Sequence, residues 1–307
     1  MRTAPDLVEW LGRRMDRTPR EEKTRQQRLR ARLSRMLSYE LPRRIAEAQP
    51  DVIVHTHFLG PEILSGRLRH TPATPQVEVI TDFFAHSLWL QPGLLRYFVA
   101  TEEVAVHLRS VGVEEGRVRV TGIPIDLRYA ALPGRAEARA QLELPPERDL
   151  LLLVAAGLQS AVLRDLLRQL QALRWPLGTV VVCGRSPDLV AVAHDAVEGY
   201  AGPGTFAVHG QRDDMPLLMA AADMLAGKPG GLISSEALAA GLPIAVITPY
   251  PIQEEANANA LLERGAAIRI APLSIFEHKL AGFLADPERR ETMSRAARTM
   301  GRPDAAR

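Results

Sequence analysis

Short apolar runs rich in β-branched residues alternate with longer segments of helical spacing along almost the whole chain. This alternation predicts parallel strands, each followed by a helix that packs on the sheet. The strand candidates are Val52–His55, Val77–Ile80, Tyr97–Ala100, Val118–Thr121, Leu150–Val154, Val180–Cys183, Phe206–His209, Met224–Ala226, Ile244–Ile247 and Ala267–Ile270. The pattern therefore predicts an α/β protein with two Rossmann-like domains.

The two groups of strands are separated by a stretch that contains Pro133-Gly134 and Pro145-Pro146 but no strand pattern. Proline and glycine in such pairs are typical of linkers and turns. We predict a first domain over residues 1–127, a linker over 128–148, a second domain over 149–290, and a C-terminal helix and tail over 291–307.

The composition is that of a globular protein, with 46% hydrophobic and 24% charged residues. No apolar run approaches the ~20 residues that span a bilayer, and residues 1–20 lack the apolar core of a signal peptide. These features predict a cytoplasmic protein. The single cysteine, Cys183, lies in an apolar run and is interpreted as a small buried hydrophobe.

Positive charge is concentrated near the start of the chain, although the net charge is only +2. Residues 25–48 combine arginines with apolar positions at helical spacing, which predicts an amphipathic helix with a cationic face. Such a helix can rest on an anionic membrane surface; a solvated helix packed on its own domain is the alternative. No nucleic-acid partner is expected, because aromatic residues do not interleave with the arginines.

The most informative segment for chemistry is residues 227–243, which predict a strand, a tight glycine turn and a helix. Gly230 and Gly231 lack side chains where the helix begins, so backbone N–H groups and the positive end of the helix dipole can contact a diphosphate. Glu236 lies about a turn and a half further on, where a carboxylate can accept hydrogen bonds from ribose hydroxyls. An ordinary strand-to-helix turn is the alternative, and Lys228 is interpreted as a solvated loop charge.

Four separated segments resemble the monogalactosyldiacylglycerol synthases and the processive diacylglycerol glucosyltransferases. These enzymes are related to the lipid II N-acetylglucosaminyltransferase. The segments are Gly227–Pro243 with Glu236, Pro249–Asn257, Val79–Trp89 and Gly122–Ile125. The resemblance implies a GT-B glycosyltransferase, whose two Rossmann-like domains face each other across a cleft. The donor binds in the C-terminal half and the acceptor in the N-terminal half.

The resemblance also implies the reaction, which is transfer of a hexose from a UDP-sugar to diacylglycerol or a similar lipid with inversion. The expected partners are the UDP-sugar, the lipid and the inner face of the cell membrane. No cofactor and no metal is implied, because a helix N-terminus can stabilise the departing UDP. The implied donor-binding residues are Gly230 and Gly231 for the diphosphate, Glu236 for the ribose, Gln253 and Glu254 for the sugar, and His209, Gly210 and Met215 around the uracil.

The sequence departs from this group at its first strand. The glycine-rich loop that ends in histidine has no counterpart before Val52, so the N-terminal domain is expected to be incomplete. His86 and Asp82 then become the candidates for the general base. A capping or packed histidine is the alternative for His86. The alternative functions are a catalytically impaired homologue that still binds nucleotide-sugar or lipid and, less favoured, a UDP-sugar epimerase.

Two further departures lie in the second half. The loop Ala155–Gly157 has one glycine where the group has a glycine-rich loop. Ile252 stands where the group has glycine, and a β-branched residue avoids the positive φ that glycine adopts. The placement of Gln253 and Glu254 against the sugar is therefore in question.

Overall fold

The computed structural model describes residues 40–64, 74–248 and 252–307. The chain divides into two units: one ends at Pro124 and also takes in Pro251–Gln253, and the other comprises Ile125–Tyr250 and Glu254–Arg307. Each unit contains one parallel sheet with helices around it. The predicted α/β class with two sheets is confirmed. None of the described helices has the length and apolar composition of a membrane span.

The sheet of the first unit has four parallel strands in the order of the chain, β1-β2-β3-β4. The strands are β1 (Ile53–His55), β2 (Gln76–Val79), β3 (Arg96–Val99) and β4 (Val118–Val120). The helices described in this unit are α1 (Glu40–Ala48), α2 (Leu59–Leu64) and α3 (Glu102–Ser110). Helix α1 is the described part of the predicted 25–48 helix, whose earlier residues lie outside the described chain. Trp89, Tyr97 and Leu108 lie in the apolar core of this unit.

The sheet of the second unit has six parallel strands. They are β5 (Leu150–Val154), β6 (Gly178–Val182), β7 (Thr205–His209), β8 (Met224–Gly227), β9 (Ile244–Ile247) and β10 (Ala267–Ile270). The helices described here are α4 (Arg135–Gln141), α5 (Ser160–Ala172), α6 (Pro187–Val197), α7 (Met215–Ala221), α8 (Gly231–Ala239), α9 (Ile252–Glu263), α10 (Phe276–Leu284) and α11 (Pro287–Met300). All ten described strands lie within two residues of a predicted one. Local hydrophobic pattern was therefore sufficient to locate them.

The strand order of the second sheet, β10-β9-β8-β5-β6-β7, reverses between β5 and β8. The chain runs outward from β5 through β6 to β7, and then returns to pair β8 with the other side of β5. In open α/β sheets a crevice forms at the carboxyl ends of the two strands between which the order reverses. The loop Ala155–Gly157 after β5 and the turn Lys228–Gly230 after β8 border this position.

A buried carboxylate ties together the opposite ends of the same two strands. Asp223 directly precedes β8, has a side chain that is 4% exposed, and accepts a hydrogen bond from the backbone N–H of Leu150 at the start of β5 (2.8 Å). Its oxygens are 2.7 Å from the Arg139 guanidinium and 3.2 Å from that of Arg290, and they also contact Arg135. A buried charge is tolerated only with such compensation. Asp223 thus joins α4, α11 and the two central strands.

We expect Asp223→Asn to lower the free energy of unfolding of the second unit by about 3–5 kcal/mol, because it leaves the buried guanidinium of Arg139 without its counter-charge. Urea denaturation followed by circular dichroism measures this change. The control is Glu291→Gln, which removes an ion pair to Arg298 whose side chains are 53% and 59% exposed. That control should cost less than ~1 kcal/mol. Equal effects of the two changes would contradict the assignment.

Candidate functional site

The turn between β8 and α8 presents the first backbone N–H groups of the helix without a side-chain cap. Gly230 is the N-cap, with φ −64° and ψ 149°, and α8 begins at Gly231 as predicted. A Cβ atom on Gly230 would meet only the Ile233 side chain, at 3.7 Å. Neither backbone conformation nor packing therefore requires glycine at this position. The missing side chain leaves the positive end of the helix open to an anion.

Gly241, in contrast, serves the fold. It has φ +67° and follows α8 in a Schellman arrangement, in which the Leu242 N–H donates to the Ala237 carbonyl (2.8 Å) and the Gly241 N–H donates to that of Leu238 (3.0 Å). A Cβ atom on Gly241 would lie 2.6 Å from the Arg298 side chain. Gly241 thus ends α8, whereas Gly230 and Gly231 lie at the open N-terminus of the same helix.

Glu236 lies on α8 beside the 3-10 helix Leu127–Ala131, and its side chain is half-buried. Burial, reinforced by the nearby Asp126 carboxylate, raises the pKa of Glu236 to about 7. Burial and the Glu236 charge also raise the pKa of Tyr129. Asp126 caps the 3-10 helix by accepting a hydrogen bond from the Arg128 N–H (2.8 Å). Asp126 and Tyr129 were not among the predicted site residues; the one local signal for them is the aspartate that caps the 3-10 helix.

Lys228 and Glu254 form an ion pair beside the glycine turn. The Lys228 Nζ lies 3.0 Å from a Glu254 carboxylate oxygen, and the two side chains are 23% and 20% exposed. The interpretation of Lys228 as a solvated loop charge was therefore wrong, since α9 covers the turn. Ile252 is the first residue of α9, so its backbone is helical and the positive φ in question does not arise. Gln253, partly buried, lies in the same first turn.

The three residues assigned to the uracil pocket lie at the end of β7 and in the segment after it. His209 is the last residue of that strand, and burial, together with the Arg212 charge, lowers its pKa. Gly210 comes next, and Met215 is the first residue of α7. Strands β5 and β6 lie between β7 and β8, so these residues share the carboxyl edge of the sheet with the glycine turn. Among the described residues, no group of His, Cys, Asp and Glu side chains is arranged to hold a metal ion.

The two candidates for the general base follow β2, in the first unit. His86 is 4% exposed and caps the 3-10 helix Ser87–Trp89, with its Nδ1 accepting a hydrogen bond from the Leu88 N–H (3.3 Å). Its ring also lies 5.0 Å from that of Phe58. This is the capping, packed environment that the sequence left open as the alternative. Asp82, half-buried in the segment after β2, lies at the carboxyl end of the strand.

A carboxyl group that was not among the predicted site residues lies inside β2. Glu78 is fully buried and stands in register between His55 of β1 and Tyr97 of β3. Within the described part of the chain neither of its oxygens has a hydrogen-bond partner, and burial raises its pKa to about 8. An acid in this environment stays largely protonated at neutral pH. Its position inside the sheet separates it from the loops that carry the candidate base.

Comparison with protein families and curated sequences finds relatives over most of the chain. Residues 13–125 match the family model of monogalactosyldiacylglycerol (MGDG) synthase. The processive diacylglycerol beta-glucosyltransferase of Bacillus licheniformis is 28% identical over 270 residues, which are 87% of this chain and 69% of the relative. The Bacillus subtilis enzyme of the same name is 30% identical over 248 residues, 80% of this chain and 63% of the relative. The chain thus spans about two thirds of the length of these relatives.

Solved structures share the fold at low sequence identity. MurG of Acinetobacter baumannii superposes with a TM-score of 0.59 and 18% identity, covering 87% of this chain and 72% of that protein. A UDP-GlcNAc 2-epimerase from Neisseria meningitidis, bound to UDP-GlcNAc, gives a TM-score of 0.66 and 15% identity, covering 87% and 77%. These similarities establish the GT-B fold.

Proposed function

Because these matches confirm the relationship to the monogalactosyldiacylglycerol synthases and processive diacylglycerol glucosyltransferases, we propose that this chain transfers a hexose from a UDP-sugar to diacylglycerol or a related lipid. The observation that carries the proposal is the uncapped start of α8 at Gly230 and Gly231, with Glu236 on the same helix. The two relatives named above are processive diacylglycerol glucosyltransferases that align with at least 80% of this chain at 28–30% identity.

The donor is expected to bind at the carboxyl edge of the second sheet. The diphosphate lies against the N–H groups at the start of α8, where the partial positive charge of the helix attracts it. Glu236 accepts hydrogen bonds from the ribose hydroxyls, and a charged acceptor makes such bonds stronger than a neutral one. Gln253 and Glu254 contact the sugar. The carboxyl end of β7 and the start of α7 hold the uracil.

The reaction is a displacement at the anomeric carbon. The acceptor hydroxyl oxygen forms the new bond to that carbon, the bond to the UDP oxygen breaks, and the departing UDP takes the electron pair. A general base takes the hydroxyl proton. The helix N-terminus stabilises the charge that develops on UDP. We propose Asp82 as the leading candidate for the base, with His86 second because it is buried as a cap.

Membrane association is part of the proposal, because the acceptor is a lipid. The arginines of residues 25–48 supply the positive charge that anionic headgroups attract. We place the protein on the cytoplasmic face of the membrane as a peripheral enzyme. The support is the amphipathic pattern of residues 25–48. The structure describes the last part of this segment as α1.

We expect the affinity for UDP-glucose to rise roughly tenfold between pH 6 and pH 8. The pKa of Glu236 is raised to about 7, so the ionised form is lost as the pH falls through this range, and the charged hydrogen bonds to the ribose are lost with it. Titration calorimetry across this range measures the effect. The titration uses UDP-glucose and not UDP, because the terminal phosphate of UDP itself titrates near pH ~6.

The variant Glu236→Gln should bind UDP-glucose more weakly at pH 8 by about 1–3 kcal/mol and show no such rise with pH. The exposed Glu263→Gln should keep the wild-type profile. A wild-type protein that binds no donor at millimolar concentration would refute the donor site. An unchanged profile in Glu236→Gln would remove this residue from it.

The transfer reaction itself is tested with radiolabelled UDP-glucose or UDP-galactose and diacylglycerol in mixed micelles, by counting label in the extracted lipid. We expect incorporation well below ~1 s⁻¹, because the buried cap His86 is poorly placed to take the proton and Asp82 has to serve as the base alone. Loss of a general base typically costs a factor of about 10²–10⁴.

Two variants give this assay its controls. Gly230→Ala has room for its methyl group, so it should fold normally but lose donor binding and transfer. Asp82→Asn should reduce the residual transfer further. Donor binding without any incorporation would favour the impaired homologue, whereas conversion of UDP-GlcNAc to its epimer would favour the epimerase. Turnover near ~1 s⁻¹ would show that the chain already holds an efficient base.

We expect the protein to sediment with anionic vesicles and to be released as salt rises from about 0.1 M to 1 M, where the screening length falls from about 10 Å to 3 Å. The variant R28Q/R32Q/R35Q should bind less. The matched control, R289Q/R295Q/R302Q, removes the same charge from exposed positions of the second unit and should bind normally. Equal sedimentation with neutral vesicles would eliminate the electrostatic contribution.

A further inference from the structure

Lys228 occupies the reversal point of the second sheet. It is the first residue after β8, and its side chain passes the loop that follows β5. Gly157 in that loop has φ +80°, and a Cβ atom there would lie 3.6 Å from the Lys228 Cδ. The lysine therefore crosses the position at which the two central loops meet. This is where an open α/β sheet places its ligand.

The charged end of Lys228 is directed at α9. Its Nζ lies 3.0 Å from one Glu254 carboxylate oxygen and 3.2 Å from the other, so the ammonium contacts both. The next residue of the turn, Pro229, accepts a hydrogen bond from the Asn257 side chain at 3.1 Å, and Asn257 is fully buried. Two adjacent residues of the turn thus hold two residues of α9 that are less than one helical turn apart.

This pairing has two consequences for Glu254. A glutamate side chain has several rotamers of similar energy, and a partly buried partner that contacts both oxygens selects one of them. The ammonium also compensates the carboxylate charge. This compensation lowers the cost of keeping the carboxylate partly buried.

We propose that Lys228 is a positioning residue: it holds the Glu254 carboxylate for the hydroxyls of the donor sugar and thereby sets the preference for a UDP-sugar over UDP alone. The inference rests on the proposed donor site but adds a role that the site itself does not require. The diphosphate is met by the helix N-terminus, and the lysine acts on the sugar through Glu254.

The test is a double-mutant cycle with Lys228→Met, Glu254→Gln and the double variant, titrated with UDP and with UDP-glucose. We expect each single change to weaken UDP-glucose binding about tenfold, which is about 1.4 kcal/mol, and to leave UDP binding within about twofold. The double variant should bind UDP-glucose no more weakly than either single variant, because both changes remove one interaction. Lys228→Arg should recover part of the loss.

Lys279→Met is the matched control, since Lys279 is the second lysine of the described chain and donates to the Arg269 carbonyl. It should leave both affinities unchanged. Equal weakening of UDP and UDP-glucose by Lys228→Met would overturn the proposal, because the lysine would then contact the diphosphate. Losses that multiply in the double variant would also overturn it. If Lys228→Met fails to fold, Glu254→Gln takes its place, because it preserves side-chain shape. The ratio of its UDP affinity to its UDP-glucose affinity then decides the matter. Wild-type protein that binds neither ligand would instead refute the proposed function.

Discussion

Compensation of one buried charge organises the second unit. Asp223 is held by a backbone N–H at the start of β5 and by arginines from α4 and α11, so the amino ends of the central strands are joined to helices distant in sequence. A carboxylate in this environment is stable only while all its partners stay in place. These contacts tie the amino end of the sheet to the helices. The opposite, carboxyl end carries the glycine turn between β8 and α8.

The two ends of the sheet use their glycines differently. Gly241 has a conformation and a packing environment that exclude a side chain, and it ends α8. Gly230 has neither restriction, yet it stands at the start of the same helix. The best explanation for a glycine that the fold does not need is room for a ligand at that position. The reversal of strand order between β5 and β8 places this position at the centre of the sheet.

Charged residues around this opening are arranged in pairs or partly shielded. Lys228 neutralises Glu254, whereas Glu236 lies near Asp126 and has a raised pKa. The first contact orients a carboxylate, and the second raises the pKa of a carboxylate to about 7, so that its charge changes with pH near neutrality. In the first unit, His86 is committed to a capping hydrogen bond. The acceptor chemistry proposed for that unit therefore depends more on Asp82 than the sequence alone suggested.

The sequence by itself determined the ten described strands, the start of α8 at Gly231 and the resemblance to the diacylglycerol glycosyltransferases, because short apolar runs and glycine turns are local signals. It did not determine the strand order, the burial of His86 or the contact between Lys228 and Glu254, which are 26 residues apart. Hydrophobic periodicity shows that a segment is a strand but not which strand it pairs with. A lysine in a turn becomes a partly buried ion-pair partner only when another helix packs beside that turn. These outcomes depend on contacts between distant segments, and only the tertiary structure decided them.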